Sequence, residues 1–163
     1  MKTKILIPLA AGVASLMVGC STPSTTLAPV GPNPNRVQTA SALGQLEVFS
    51  ALTGRSEGDN PSWYQHSRYL VYNRLGKRLE SVGNTVGYYA EMPRLISLPP
   101  GDYLVKAQAK GHWWVEVPVK IERGRTTRVH LDAAWQMPPG TSKSELVSIP
   151  AGYPIGWRAG LTD

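Results

Sequence analysis

Residues 113–121 leave the backbone one economical conformation. Trp113, Val115, Val117, Val119 and Ile121 alternate with Trp114, Glu116, Pro118 and Lys120. Period-two alternation is the pattern of a strand with one buried face. The valine face is predicted to lie in a core with Trp113. Glu116 and Lys120 should stay in water, with Trp114 beside them. Pro118 has no backbone donor, so this strand should run along a sheet edge or carry a bulge.

The flanking segments continue the pattern. Tyr103, Val105, Ala107 and Ala109 point one way, and Leu104, Lys106 and Gln108 the other; Thr127, Val129 and Leu131 alternate with Arg128, His130 and Asp132. Lys110-Gly111-His112 and Glu122-Arg123-Gly124 fill the gaps, short Gly-containing links typical of antiparallel hairpins. Pro99-Pro100-Gly101 is a turn before the first of these strands. Further strands are expected at residues 45–52, 67–73, 77–82 and 94–98, with Asn73-Arg74-Leu75-Gly76 as another hairpin link. About seven short strands, with no helical period beyond the first segment, predict an all-β fold: a small antiparallel β-sandwich, or else a small closed barrel.

The first segment reads differently. Lys2 and Lys4 precede an uncharged apolar run from Ile5 to Val18, which ends at Gly19-Cys20. That run is short for a membrane-spanning helix and carries Pro8 and Gly12. Leu16-Met17-Val18-Gly19-Cys20 resembles the lipobox of bacterial lipoproteins. The resemblance implies removal of residues 1–19 as a signal peptide, a diacylglycerol on the Cys20 thiol and acylation of the new amino terminus. Ser21, rather than Asp, after the cysteine implies an outer-membrane address in a two-membrane bacterium. Cys20 is the only cysteine in 163 residues, so no intramolecular disulfide can form. The plainer alternative is an ordinary secretory peptide that happens to end at cysteine.

The remaining chain divides by composition. Residues 20–42 hold four prolines, many Ser and Thr and one charge, Arg36, and are expected to be a linker or spacer. Residues 43–133 form the expected sandwich domain, and 134–163 a tail with room for one more strand near 144–149. The whole chain has 17 Lys+Arg against 11 Asp+Glu. Removing Lys2 and Lys4 leaves 15 against 11, a mild +4. An anchored, exported chain has no expected nucleic-acid partner, and a basic balance would turn it toward acidic lipid or polysaccharide.

Leu98-Pro99-Pro100-Gly101-Asp102-Tyr103-Leu104-Val105-Lys106-Ala107-Gln108-Ala109-Lys110-Gly111 resembles the signature of transthyretin-like sandwiches, including carboxypeptidase regulatory-like domains. Val117-Pro118-Val119-Lys120-Ile121, Gly124 and the strand at 126–131 are similar to their closing hairpin. The likeness covers the second half of the domain. It implies that fold and a non-catalytic module for support, adhesion or binding.

Residues that carry chemistry are sparse. There is no G-x-S-x-G or S-x-x-K, and lipidation would consume the one thiol. His66, His112 and His130 lack metal-ligand spacing and read as surface residues. Glu57 and Asp59 read as an acidic loop without calcium-loop spacing. No enzyme activity, metal or cofactor is therefore expected, the alternative being a glycan-binding or cell-wall-acting, enzyme-associated domain. Aromatic usage is skewed: five Trp and seven Tyr against one Phe. Rings that also present a polar atom suit half-wet positions. Trp63, Tyr64, Tyr89, Trp114 and Trp157 are the candidate contact residues for an envelope protein or a cell-wall glycan, the membrane itself being reached through the lipid anchor. The plainer reading is that these rings cap a small core.

Overall fold

A computed structural model describes residues 27–36, 38–55, 63–85, 92–111 and 113–160. The expected signal segment, Cys20, the expected acidic loop at Glu57 and Asp59, Tyr89 and His112 lie outside the described residues, as do the side chains of Arg55 and Trp63.

The described chain is all-β and sandwich-like. It contains twelve strands: β1 (Val30–Gly31), β2 (Gly44–Phe49), β3 (Leu52–Arg55), β4 (Trp63–His66), β5 (Tyr69–Asn73), β6 (Arg78–Val82), β7 (Leu95–Leu98), β8 (Gly101–Gln108), β9 (Trp114–Ile121), β10 (Thr126–His130), β11 (Leu146–Ser148) and β12 (Pro154–Arg158). A seven-stranded sheet runs β11-β12-β1-β9-β8-β5-β6, a three-stranded sheet runs β10-β2-β7, and β3 and β4 form a separate hairpin. Most pairs are antiparallel, but β1 with β9 and β10 with β2 are parallel, so the sandwich is mixed rather than purely antiparallel.

Register follows the alternation. Val117 and Val119 on β9 face inward opposite Val105 and Tyr103 on β8, and Val117, Val119 and Ile121 are at most 1% exposed. Glu116 and Lys120 are in solvent, and Glu116 reaches Lys106 across the pair at 3.1 Å. The second layer contributes Leu46, Val48, Val129 and Leu131, all fully buried. Pro118 is tolerated because β9 is covered on its far side only by the two-residue β1, paired at Val119 alone. Trp113 departs from expectation. It stands just before β9, half exposed, with its ring over Gly111 instead of in the core.

Both ends of the domain were drawn too narrowly from composition. Val30, inside the expected linker, is fully buried and pairs with both β9 and β12. Residues beyond it are tied down by backbone bonds, which a proline-rich composition cannot reveal. Thr39 donates to the Gly124 carbonyl at 2.8 Å. Arg125 donates to the carbonyls of Asn33 and Pro34. Gly124, at φ +67°, makes the β9–β10 turn under this strap. The expected tail likewise supplies β11 and β12 to the large sheet, with Ile149 and Ile155 in the core.

The buried face of β9 predicts a clean contrast. Val117→Asp should abolish cooperative unfolding, because a lone charge in an apolar core is severely costly. Glu116→Lys, on the opposite face, should shift the melting temperature by no more than a few degrees. Thermal denaturation followed by circular dichroism separates the two, and similar behaviour of both variants would refute the register.

Candidate functional site

Two regions concentrate exposed or reactive side chains. The first is one end of the sandwich, where β8 finishes, β9 begins and the β3–β4 hairpin folds over. Backbone bonds bring these segments together: Ala51 donates to Gln108 at 2.7 Å and Lys110 to Leu131 at 2.7 Å, while Gln108 pairs with Trp114. Tyr64 lies across Gly54 on the hairpin, 56% exposed, and Trp114 is 49% exposed. Trp113 at 50% and Leu52 at 41% complete an apolar rim. Lys110 and Arg68 are exposed at the same end. Leu52, Lys110, Gly111, Asp132 and Ala51 line a shallow recess within it.

The second region is a pocket of about 170 Å³ along the outer side of β10, lined by Asn33, Arg36, Thr126, Arg128, His130, Trp135 and Trp157, among others. An aromatic stack forms its wall. The His130 ring lies on Phe49 at 4.4 Å and 16°, and on Trp135 at 4.8 Å and 8°. Trp157 meets Trp135 edge-on at 6.3 Å, and His66 meets Phe49 edge-on at 5.7 Å. Arg128 forms an ion pair with the largely buried Glu47 at 2.6 Å across the parallel β2–β10 pair. Arg36 is exposed at the rim.

His130 is therefore not the surface histidine that strict alternation implies. Only 9% exposed, its imidazole is held down to about 4 by burial first, then by the Arg128 charge and by His66. Flanking rings would attract an imidazolium by on the order of 1 kcal/mol, less than the cost of burying the charge. The ring is neutral at pH 7. His66 is also buried, with Nδ1 2.6 Å from the Ser50 carbonyl. Ser50 Oγ donates to the Ser67 carbonyl and accepts from Asn84, so this polar knot ties the end of β2 to the segments before β5 and after β6. Among the described residues no three His, Cys, Asp or Glu side chains converge on a metal position.

Of the five candidate aromatics, Tyr64 and Trp114 share the exposed end. Trp63 stands on the same hairpin by its backbone. Trp157 belongs to the other region, and at 6% exposed it is a wall residue instead of a free contact. Its burial follows from β12 entering the large sheet beside β1. Sequence reasoning missed Trp135, which lies in an irregular segment without period, and placed Trp113 inside. The signal available for Trp113 was Gly111 two residues earlier, where the positive φ of +94° turns the chain.

Compared with family models, with curated proteins and with solved structures, the chain finds no match.

The buried imidazole makes stability pH-dependent. An unfolded histidine gains its proton near pH 6.5, whereas folded His130 resists until about 4. Folding is thus penalised as pH falls through that window, and the contribution is intact above it. The full effect amounts to about 3 kcal/mol. Urea titrations at pH 7 and pH 4.5 should show His130→Phe, which keeps the stack, losing less stability on acidification than the parent. An equal loss in both would remove His130 as the cause.

Proposed function

We propose that the chain is an exported, lipid-anchored cell-envelope protein whose β-sandwich serves a binding or structural role without catalysis. The observation that carries this reading is the sequence Leu16-Met17-Val18-Gly19-Cys20 behind a charged and apolar leader, with Cys20 as the one thiol. The fold is consistent with it. The described residues contain no helix long and apolar enough to cross a membrane, and Val30 begins the domain ten residues after the proposed anchor. The resemblance of residues 98–111 to the transthyretin-like signature favours a module that holds or binds. The outer membrane is the proposed address.

A glycan-binding reading is favoured by one specific feature, the β10 pocket. Arg36, exposed at the rim beside the Trp135 ring, could receive an acid-bearing sugar, its guanidinium taking the carboxylate and the indole a ring face. The pocket has room for a single small ring.

Replacing the proposed anchor tests the main reading. Cys20→Ala should abolish incorporation of a palmitate analogue, leave the leader uncleaved by the lipoprotein route, and displace the protein from the membrane fraction carrying the parent. Equal labelling of both chains would refute the anchor.

A further inference from the structure

The direction of β1 fixes which end of the domain faces its anchor. β1 runs parallel to β9, with Val30 beside Val119. Residues before Val30 therefore lead back toward the start of β9, where Trp114 stands. Ala159 donates to the Pro29 carbonyl at 2.8 Å, and Leu27 and Ala28 pack against the core, so this approach is fixed as far as Leu27. Seven peptide steps separate Leu27 from Cys20 and span at most about 25 Å.

Leu27 sits unequally between the two ends. Parallel to β9 and three residues before Val30, Leu27 is level with Glu116, about 7 Å from the Trp114 end of the strand and about 17 Å from Ile121. To set the opposite end on the bilayer, the tether would have to reverse direction and spend most of its reach running back past β1. The Trp114 end needs no such detour.

Its side chains suit a bilayer surface. Leu52, Tyr64, Trp113 and Trp114 are each between 41% and 56% exposed, and Lys110 and Arg68 add positive charge beside them. Tryptophan and tyrosine settle at the boundary between head groups and acyl chains, where the ring is half dry and the polar atom wet. Lysine and arginine there are drawn to anionic lipid, each by about 1 kcal/mol.

Resting on the anchor proposed above, we propose that this end of the sandwich docks on the bilayer that holds Cys20, with the four apolar side chains at head-group depth and Lys110 and Arg68 on anionic phosphates. The anchor then fixes orientation as well as location. The β10 strand and its pocket lie along the flank of the docked domain, with Arg36 open to the aqueous side.

The test uses the processed chain, Cys20 to Asp163, coupled through its single thiol to maleimide-bearing lipid in vesicles containing phosphatidylglycerol. The thioether stands in for the natural one, so the result does not depend on acylation in a cell. Palmitate labelling reports on the anchor and the vesicle experiment on the surface, so the two fail separately. Brominated lipid should quench tryptophan emission of the coupled parent. Trp113→Phe with Trp114→Phe should lose more than half of that quenching at an unchanged melting temperature. Lys110→Glu with Arg68→Glu should weaken it on anionic vesicles and leave it unchanged on neutral ones. Equal quenching of parent and double-Phe chains, at equal coupling, overturns the proposal. So does protection of Trp113 and Trp114 from acrylamide by soluble cell-wall fragments but not by the bilayer, which would assign the surface to glycan.

Discussion

The buried face of β9 is the constraint from which the rest of the structure follows. A one-residue slip of this strand would send Val117, Val119 and Ile121 into water and bring Glu116 and Lys120 inside, so its register is firmly specified. With β9 fixed, β8 is fixed through eight consecutive pairs, and β5 and β6 follow outward. On its other side β9 offers Val119 to Val30. That single parallel contact sets the direction in which the N-terminal segment arrives, and hence the relation between the proposed anchor and the exposed aromatic end.

This central region was legible because each strand states its own inward face. Residues 102–109, 114–121 and 126–129 carry the alternation unbroken, and their links contain glycine where a turn requires it. What stayed hidden depended on partners distant in sequence. Val30-Gly31 is two residues long and sits among prolines; nothing local distinguishes it from a linker, and only β9 and β12 together make it a strand. β12 includes Pro154, Gly156 and Trp157, a composition that reads as loop. Gly156 is needed there because a side chain would collide with Val30 and with the Arg128 carbonyl, a tertiary requirement that leaves no periodic trace.

The aromatic residues show the same division. Exposure of Trp114 could be read from its place opposite the valines, since strand geometry alone decides it. The burial of Trp157 and the sandwiching of His130 between Phe49 and Trp135 could not, because rings from four separate segments meet there. His130 breaks its strand's alternation by having a second cover. The irregular segment after β10 folds back over the outer side and turns a solvent-facing position into an interior one. Alternation describes the faces of one sheet, and a loop laid across that sheet rewrites the outward positions beneath it.

The pairing of β1 with β12 joins nearly the first described residues to nearly the last. Gly31 lies against Ala159 so closely that a β-carbon would not fit, and the two segments are separated by most of the chain. Such long-range closure makes folding a late event. A nascent chain that has emerged as far as β10 still lacks the strand that covers Val30, and its large sheet stays open along that flank. Under the export proposed above, which would carry the chain unfolded through a channel, that delay is useful. Because β12 follows every other described strand in the chain, the large sheet cannot close along that flank until β12 has been made.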